Sequence, residues 1–230
     1  MMQRLIDVYW VNIMSTEMTN DPEPAANRRK YVLKDRAERQ AATRRRIVEA
    51  TVALHLEVGP VSTQVSEVAR RAGVQRVTVY NHFSDDAALF AACSAHWRAL
   101  HPSPDPARWN TATDATERLR LGLREIYAWY RETAPMTANV LRDAQMLPAL
   151  QRVLDGGLLS YIDKVADVLT EPFGAGGHKR HRIRIAARAA LDFHFWRSLE
   201  PLGDGDAAEL GAGLVEQAAG VYGSLHWRNS

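Results

Sequence analysis

The tightest constraint in this sequence is Gly73. It sits between two apolar patterns, each too short to stand alone: Val65, Val68 and Ala69 before it, and a run with a polar face from Gln75 to His82 after it. A glycine at such a joint supplies a positive φ that other residues adopt only at a cost. Isolated helices this short are not stable in water, so both must pack on a neighbour. Upstream, 38–58 provides one. Ile47, Ala50, Thr51 and Leu54 recur at spacings of three and four and make a single helical stripe, which Gly59-Pro60 ends. Ser62 or Thr63 is expected to cap the second helix. Ser84 is expected to cap a fourth, with Asp85 and Asp86 in its first turn, where the helix dipole favours acid. Three short helices with a tight glycine turn between the second and third are a helix-turn-helix candidate.

Such a module presents the first turn of its last helix to a major groove about 12 Å wide. Gln75 and Arg76 suit that turn, because Gln can bridge adenine and Arg can bridge guanine with paired hydrogen bonds. Thr78, Tyr80 and His82 can donate to phosphate oxygens, and Asn81 can serve either role. The formal net charge is only +2, but it is uneven. Between 28 and 46 stand Arg28, Arg29, Lys30, Lys34, Arg36, Arg39, Arg44, Arg45 and Arg46, nine bases against the acids Asp35 and Glu38. Two readings stand for this segment: a solvated helix face, or an arm that follows the duplex or enters its minor groove.

Composition narrows the alternatives. With 46% apolar and 24% charged residues, a chain of 230 residues is an ordinary globular protein with a real core. One cysteine, Cys93, excludes an intrachain disulfide framework and a thiolate-rich metal cluster. No apolar run reaches the ~18–20 residues that span a bilayer. Segment 5–14 carries Asp7 and Asn12 and reads as neither signal peptide nor anchor, and 15–27 is polar and contains Pro22 and Pro24. The expected setting is the cytoplasm. No phosphate-binding glycine loop, HExxH or serine-triad spacing occurs, and His96, His101, His178 and His181 lack metal-ligand spacing. Neither an enzyme nor a metal or other cofactor is expected.

Residues 45–97 resemble the DNA-binding domain of the TetR family of bacterial transcriptional regulators. The resemblance is carried by RRIVEATVAL, then Val68-Ala69-Arg70-Arg71-Ala72-Gly73-Val74, then Thr78-Val79-Tyr80-Asn81-His82-Phe83 and Leu89, with the family's spacing and no gap. It implies an all-α protein with an N-terminal three-helix DNA-binding domain and a larger C-terminal helical domain. The implied organisation is a flexible basic extension over 1–37, the helix-turn-helix domain over 38–84, and a domain for ligand and dimerisation over 85–230. It further implies base contacts from Gln75, Arg76 and Val77, and backbone contacts from Thr63, Thr78, Tyr80, Asn81, His82 and Arg44. Two positions depart from the pattern: His55 stands where a buried Phe is common, and Asp86 where a phosphate-contacting Lys is frequent.

The second half reads as helical throughout. Expected helices cover 112–132, ending at Pro135, then 137–147, then 149–170 with a soft point at Gly156-Gly157, then 178–199 and 206–226. The resemblance implies that the last two pair with a second copy. Candidate interface residues are Ala186, Ala190, Phe193, Arg197, Leu214, Ala218, Val221 and Tyr222. It also implies a small hydrophobic or aromatic effector, with Trp129, Tyr130, Met136, Met146, Tyr161 and His194 as pocket candidates. The expected function is a homodimeric repressor on a palindromic operator, released by that effector. The alternatives are a dimeric helical adaptor whose DNA-binding head is weakened at Asp86, or an enzyme with an unrecognised site.

Overall fold

The computed structural model describes residues 25–220, and side chains from residue 33 onward. The described residues form ten α-helices and no strand. The expectations for 1–24, for the side chains of Arg28, Arg29 and Lys30, and for Val221 and Tyr222 lie outside them. The chain divides between Thr43 and Arg44 into two units. Helix α1 (Ala25–Glu57) crosses that point and starts well before 38, because Ala, Lys, Arg and Glu favour helix without any apolar stripe. In the first unit, Asp35 pairs with Arg39, and Lys34 with Glu38 at 3.9 Å, each one helical turn apart.

In the second unit, the stripe Ile47, Thr51 and Leu54 of α1 is buried beneath α2 (Val65–Ala72) and α3 (Arg76–His82), where Val68, Ala72, Val79 and Phe83 join it. Both helix caps differ from expectation by one residue or two. Gln64 opens α2 without a side-chain cap, and Thr63 instead donates to Gly59 O at 2.9 Å. Asp85, not Ser84, caps α4 (Asp86–Leu100), accepting from Ala88 N at 2.8 Å. A carboxylate is the stronger acceptor for a free helix N–H.

The larger core lies among α5 (Ala115–Ala144), α7 (Ser160–Thr170), α8 (Gly177–Ala190), α9 (Phe193–Leu199) and α10 (Asp204–Ala219). Helix α6 (Pro148–Leu154) runs into α7 through a π turn at Asp155–Leu159, the form that the soft Gly156-Gly157 point takes. Close approach of α5 to α7 requires Gly122, where a Cβ would stand 2.5 Å from Leu169 Cδ2.

Three expected boundaries move. Helix α5 continues through Pro135, which faces solvent, so the carbonyl that loses its N–H partner is one that water can serve. The expected helix 178–199 is two helices. Asp192 caps the second by accepting from His194 N and Phe195 N at 2.8 and 3.0 Å, while Tyr127 and Tyr130 of α5 donate their hydroxyls to Ala190 O and Leu191 O at 2.7 and 2.8 Å. Those four bonds satisfy the groups that a helix break exposes. The last helix begins at Asp204 and ends at Ala219, where Gly220 adopts φ 73° and closes it.

Candidate functional site

The glycine joint behaves as its sequence requires. Gly73 adopts φ 64°, and the amides of Gly73 and Val74 bond back to Arg70 O and Ala69 O. The chain then reaches α3 through Gln75 in an extended conformation. Below, α3 rests on Val79 and Phe83, both buried. Above, Gln75, Arg76, Val77, Tyr80 and Asn81 are exposed, and Thr78 and His82 are half-buried. Val77 is 56% exposed and Tyr80 49%. Two large apolar bodies left in water beside Gln and Arg suit a surface that becomes covered. Arg76 Nη2 donates to Tyr80 Oη at 3.1 Å one turn along, so its guanidinium is held against the helix.

Nearby charges are already engaged. Arg71 pairs with Glu57 at 2.6 Å and with Glu67 at 2.9 Å, and Arg70 pairs with Glu67 at 2.7 Å. Hydrogen bonds from Arg70 and Arg71 hold the Glu67 carboxyl down at about 2. Arg44 is tied as well: its Nη1 donates to His82 O at 2.9 Å, and its guanidinium lies 4.1 Å from the centre of the Phe83 ring. It caps the C-terminus of α3, where the dipole favours a cation. Thr63 is half-buried and Asp86 exposed in the first turn of α4.

A second feature is a cavity of about 110 Å³ bounded by α1, α4, α5, α6, the π turn and α7. Of the pocket candidates, Trp129, Met136 and Tyr161 line it. The other three lie elsewhere. Tyr130 is buried in the larger core, its hydroxyl spent on Leu191 O; Met146 is 60% exposed near the end of α5; and His194 is exposed on α9. Aromatic character marked these residues, but helical phase decides which of them meets the cavity. The remaining wall includes Phe90, Cys93, Trp97 and Leu158, with His55 and Arg98 as its titratable polar members besides Cys93 and Tyr161. Burial lowers the His55 imidazole to about 4, against a smaller upward pull from Asp143, so it is neutral at pH 7. Burial pushes the Cys93 thiol up to about 12.

The helix that lines the cavity also grips the end of α1. Asn139 Nδ2 donates to His55 O and Leu56 O, both at 3.0 Å, and Asp143 accepts from Val61 N at 2.9 Å. Met136, Thr137 and Val140 of the same helical stretch face the cavity. Asn139, Asp143, His55 and Arg98 were not legible as site residues, since only long-range packing gives them these neighbours.

On α8 and α10, Ile185 and Leu214 are 56% and 42% exposed and Ala186 and Ala218 are half-buried; Arg197 on α9 is exposed. Ala190 and Phe193 are instead buried within the chain's own core. Among the described residues no group of three His, Cys, Asp or Glu side chains is placed to hold a metal, and no helix is long and apolar enough to cross a membrane.

Residues 47–93 match the model for bacterial regulatory proteins of the tetR family. No curated protein matches the chain. Among solved structures, a TetR-family transcriptional regulator from Mesorhizobium loti MAFF303099 superposes with a TM-score of 0.55 at 20% identity, over 80% of this chain and 98% of that one. The transcriptional regulator FadR from Bacillus subtilis, in complex with stearoyl-CoA, superposes with a TM-score of 0.50 at 18% identity, over 77% of this chain and 98% of that one. At these identities the likeness is one of fold.

Proposed function

From the premise that residues 47–93 belong to the tetR family of bacterial regulatory proteins, we propose that this chain is a DNA-binding transcriptional repressor. It binds a palindromic operator as a homodimer and leaves it when a small molecule occupies the cavity. Residues 38–84 are the reading head, and 85–230 hold the effector and the second copy. The single observation that carries the reading is the first turn of α3: Gln75, Arg76 and Val77 are exposed over a buried Val79 and Phe83. Thr78, Tyr80, Asn81 and His82, with Thr63, fix the register on phosphates. Arg44 acts by holding α3 at His82 O, a role compatible with a phosphate contact through its remaining donors.

A dimer doubles the reading helices on two half-sites about 34–36 Å apart, which one head alone cannot specify. The exposed Ile185, Leu214, Ala186 and Ala218 on α8 and α10, with Arg197, are the surface for the second copy. The effector acts through α5, which touches both the cavity and the end of α1. By linkage it weakens DNA binding by the factor by which DNA weakens its own binding.

The test is a footprint on the DNA upstream of the chain's own gene, with Arg76→Ala beside the parent. A dimer protects two symmetric half-sites. The variant loses preference at one base pair per half-site, by about 1–3 kcal/mol for a bidentate contact. Equal protection of operator and random DNA by the parent refutes the reading and favours the adaptor.

A further inference from the structure

Two polar side chains stand out on the cavity wall. The first is His55, 4% exposed, which lines the cavity and whose ring makes no hydrogen bond to another residue among the described residues. The second is Arg98, which lines the cavity with its Nη1 beside Gly157 of the π turn. Among the described residues no carboxylate pairs with Arg98, and no Asp or Glu lines the cavity.

We propose that the ligand of this cavity is a small aromatic monocarboxylate. Its carboxylate sits on the Arg98 guanidinium, its ring lies between the aromatic side chains, and its far end faces the imidazole of His55. The proposal takes the place of the site from the regulator reading above and adds its chemistry.

The placement follows from α4. Phe90, Ser94, Trp97 and Arg98 recur on one face of that helix, and its rise from Phe90 to Arg98 is about 12 Å. The Phe90 ring lies 5.7 Å from the His55 ring, which sets His55 at one end of the cavity and Arg98 at the other. Between them stand Phe90, Trp97, Trp129 and Tyr161, whose flat faces suit an aromatic body. Guanidinium pairs with carboxylate through two parallel hydrogen bonds. Arg98 is exposed, and the last turn of α4 favours a cation in any case; its place on a cavity walled by aromatic side chains and lined by no carboxylate is what points to an anion. At about 110 Å³ the space is small beside the ~300–1,000 Å³ of pockets for drug-sized ligands, which favours a compact ligand. His55, neutral at pH 7, offers a donor or an acceptor to a hydroxyl on the far end of the ring.

The test is calorimetric titration of the full chain, without DNA, with cinnamate, para-hydroxycinnamate, cinnamyl alcohol and octanoate. Cinnamate is expected to bind about ten-fold or more tighter than the alcohol, a difference of about 1.4 kcal/mol, and tighter than octanoate. Arg98→Gln brings the acid to the level of the alcohol and leaves the alcohol unchanged; being exposed and unpaired, this position keeps the thermal melt of the parent. The para-hydroxyl tightens binding in the parent and not in His55→Phe. Equal binding of acid and alcohol, an acid preference that survives Arg98→Gln, a better fit for octanoate, or no heat from any probe overturns the proposal. The operator footprint runs in parallel. A footprint without cinnamate binding sinks the ligand class and leaves the regulator, whereas cinnamate binding without a footprint does the reverse.

Discussion

Replacing Asp143 by Ala tests how the end of α1 is held. The carboxylate is 1% exposed, and its two oxygens are divided between two donors: Val61 N at 2.9 Å and Arg142 Nε at 2.6 Å. Burial alone would raise its pKa. The hydrogen bonds from Arg142 and Val61, with the charges of Arg142 and His55, outweigh burial and hold it below the ordinary aspartate value. The turn is built around this group, since a Cβ on Gly59, at φ 85°, would stand 2.5 Å from Asp143 Oδ2. Arg142 is 57% exposed and can turn to water, so its pair contributes little. The Val61 amide loses a charged acceptor, for which a hydrogen bond contributes about 1.5–3 kcal/mol, and with Val61 44% exposed water recovers part of the loss. Asp143→Ala is therefore expected to lower unfolding stability by about 1–2 kcal/mol. Asp143→Asn keeps a neutral acceptor and loses about half as much. The assay is urea unfolding at one fixed protein concentration, with amide exchange read at Val61. An Ala variant within about 0.5 kcal/mol of the parent, with Val61 exchange unchanged, would refute the argument.

Four further outcomes are expected. Because His55 falls from 6.5 to about 4 on folding, the unfolded chain takes up its proton first; its contribution is full above pH 6.5 and drains as pH falls towards 4, by about 3 kcal/mol in all. Acid titration of stability in His55→Phe should lack most of that slope. Gly211→Ala puts a Cβ 2.7 Å from Tyr127 Oη, which donates to Ala190 O, so it should cost about 1–3 kcal/mol in a denaturant melt, and Tyr127→Phe in the same background should restore part of it. Arg44→Ala removes the donor to His82 O and the cation over Phe83, which should lower the melting temperature and speed amide exchange in α3. Reversing Arg131 to Glu places like charges against Asp204, an exposed pair, so a melt should show a loss of no more than about 1 kcal/mol.

The head was legible because its information is local. A glycine that needs φ 64°, a stripe at spacings of three and four, and a short helix with polar residues on its first turn are all statements about neighbours in sequence. The caps differ by a residue or two: at α4, Ser84 and Asp85 compete for one free amide, and at α2 the Thr63 hydroxyl is spent on Gly59 O instead. Pro135 differs for a related reason: it lies on the exposed side of α5, where a helix can carry a proline without ending. The break at Asp192 was hidden because the tyrosine hydroxyls that accept its cost come from α5, far back in the chain.

The sequence by itself determined the turn at Gly73, the exposed chemistry of Gln75 and Arg76, the basic run through Arg46, and the apolar surplus that has to form a helical second half. Tertiary structure alone decided that Arg44 braces α3, that Tyr130 spends its hydroxyl in the core while Trp129 one residue earlier meets a cavity, and that His55 and Arg98 line that cavity. The physical reason is that periodicity tells which side of a helix avoids water, but not whether that side meets a filled core or a gap. Packing settles this, and packing depends on which distant helices arrive and in what phase.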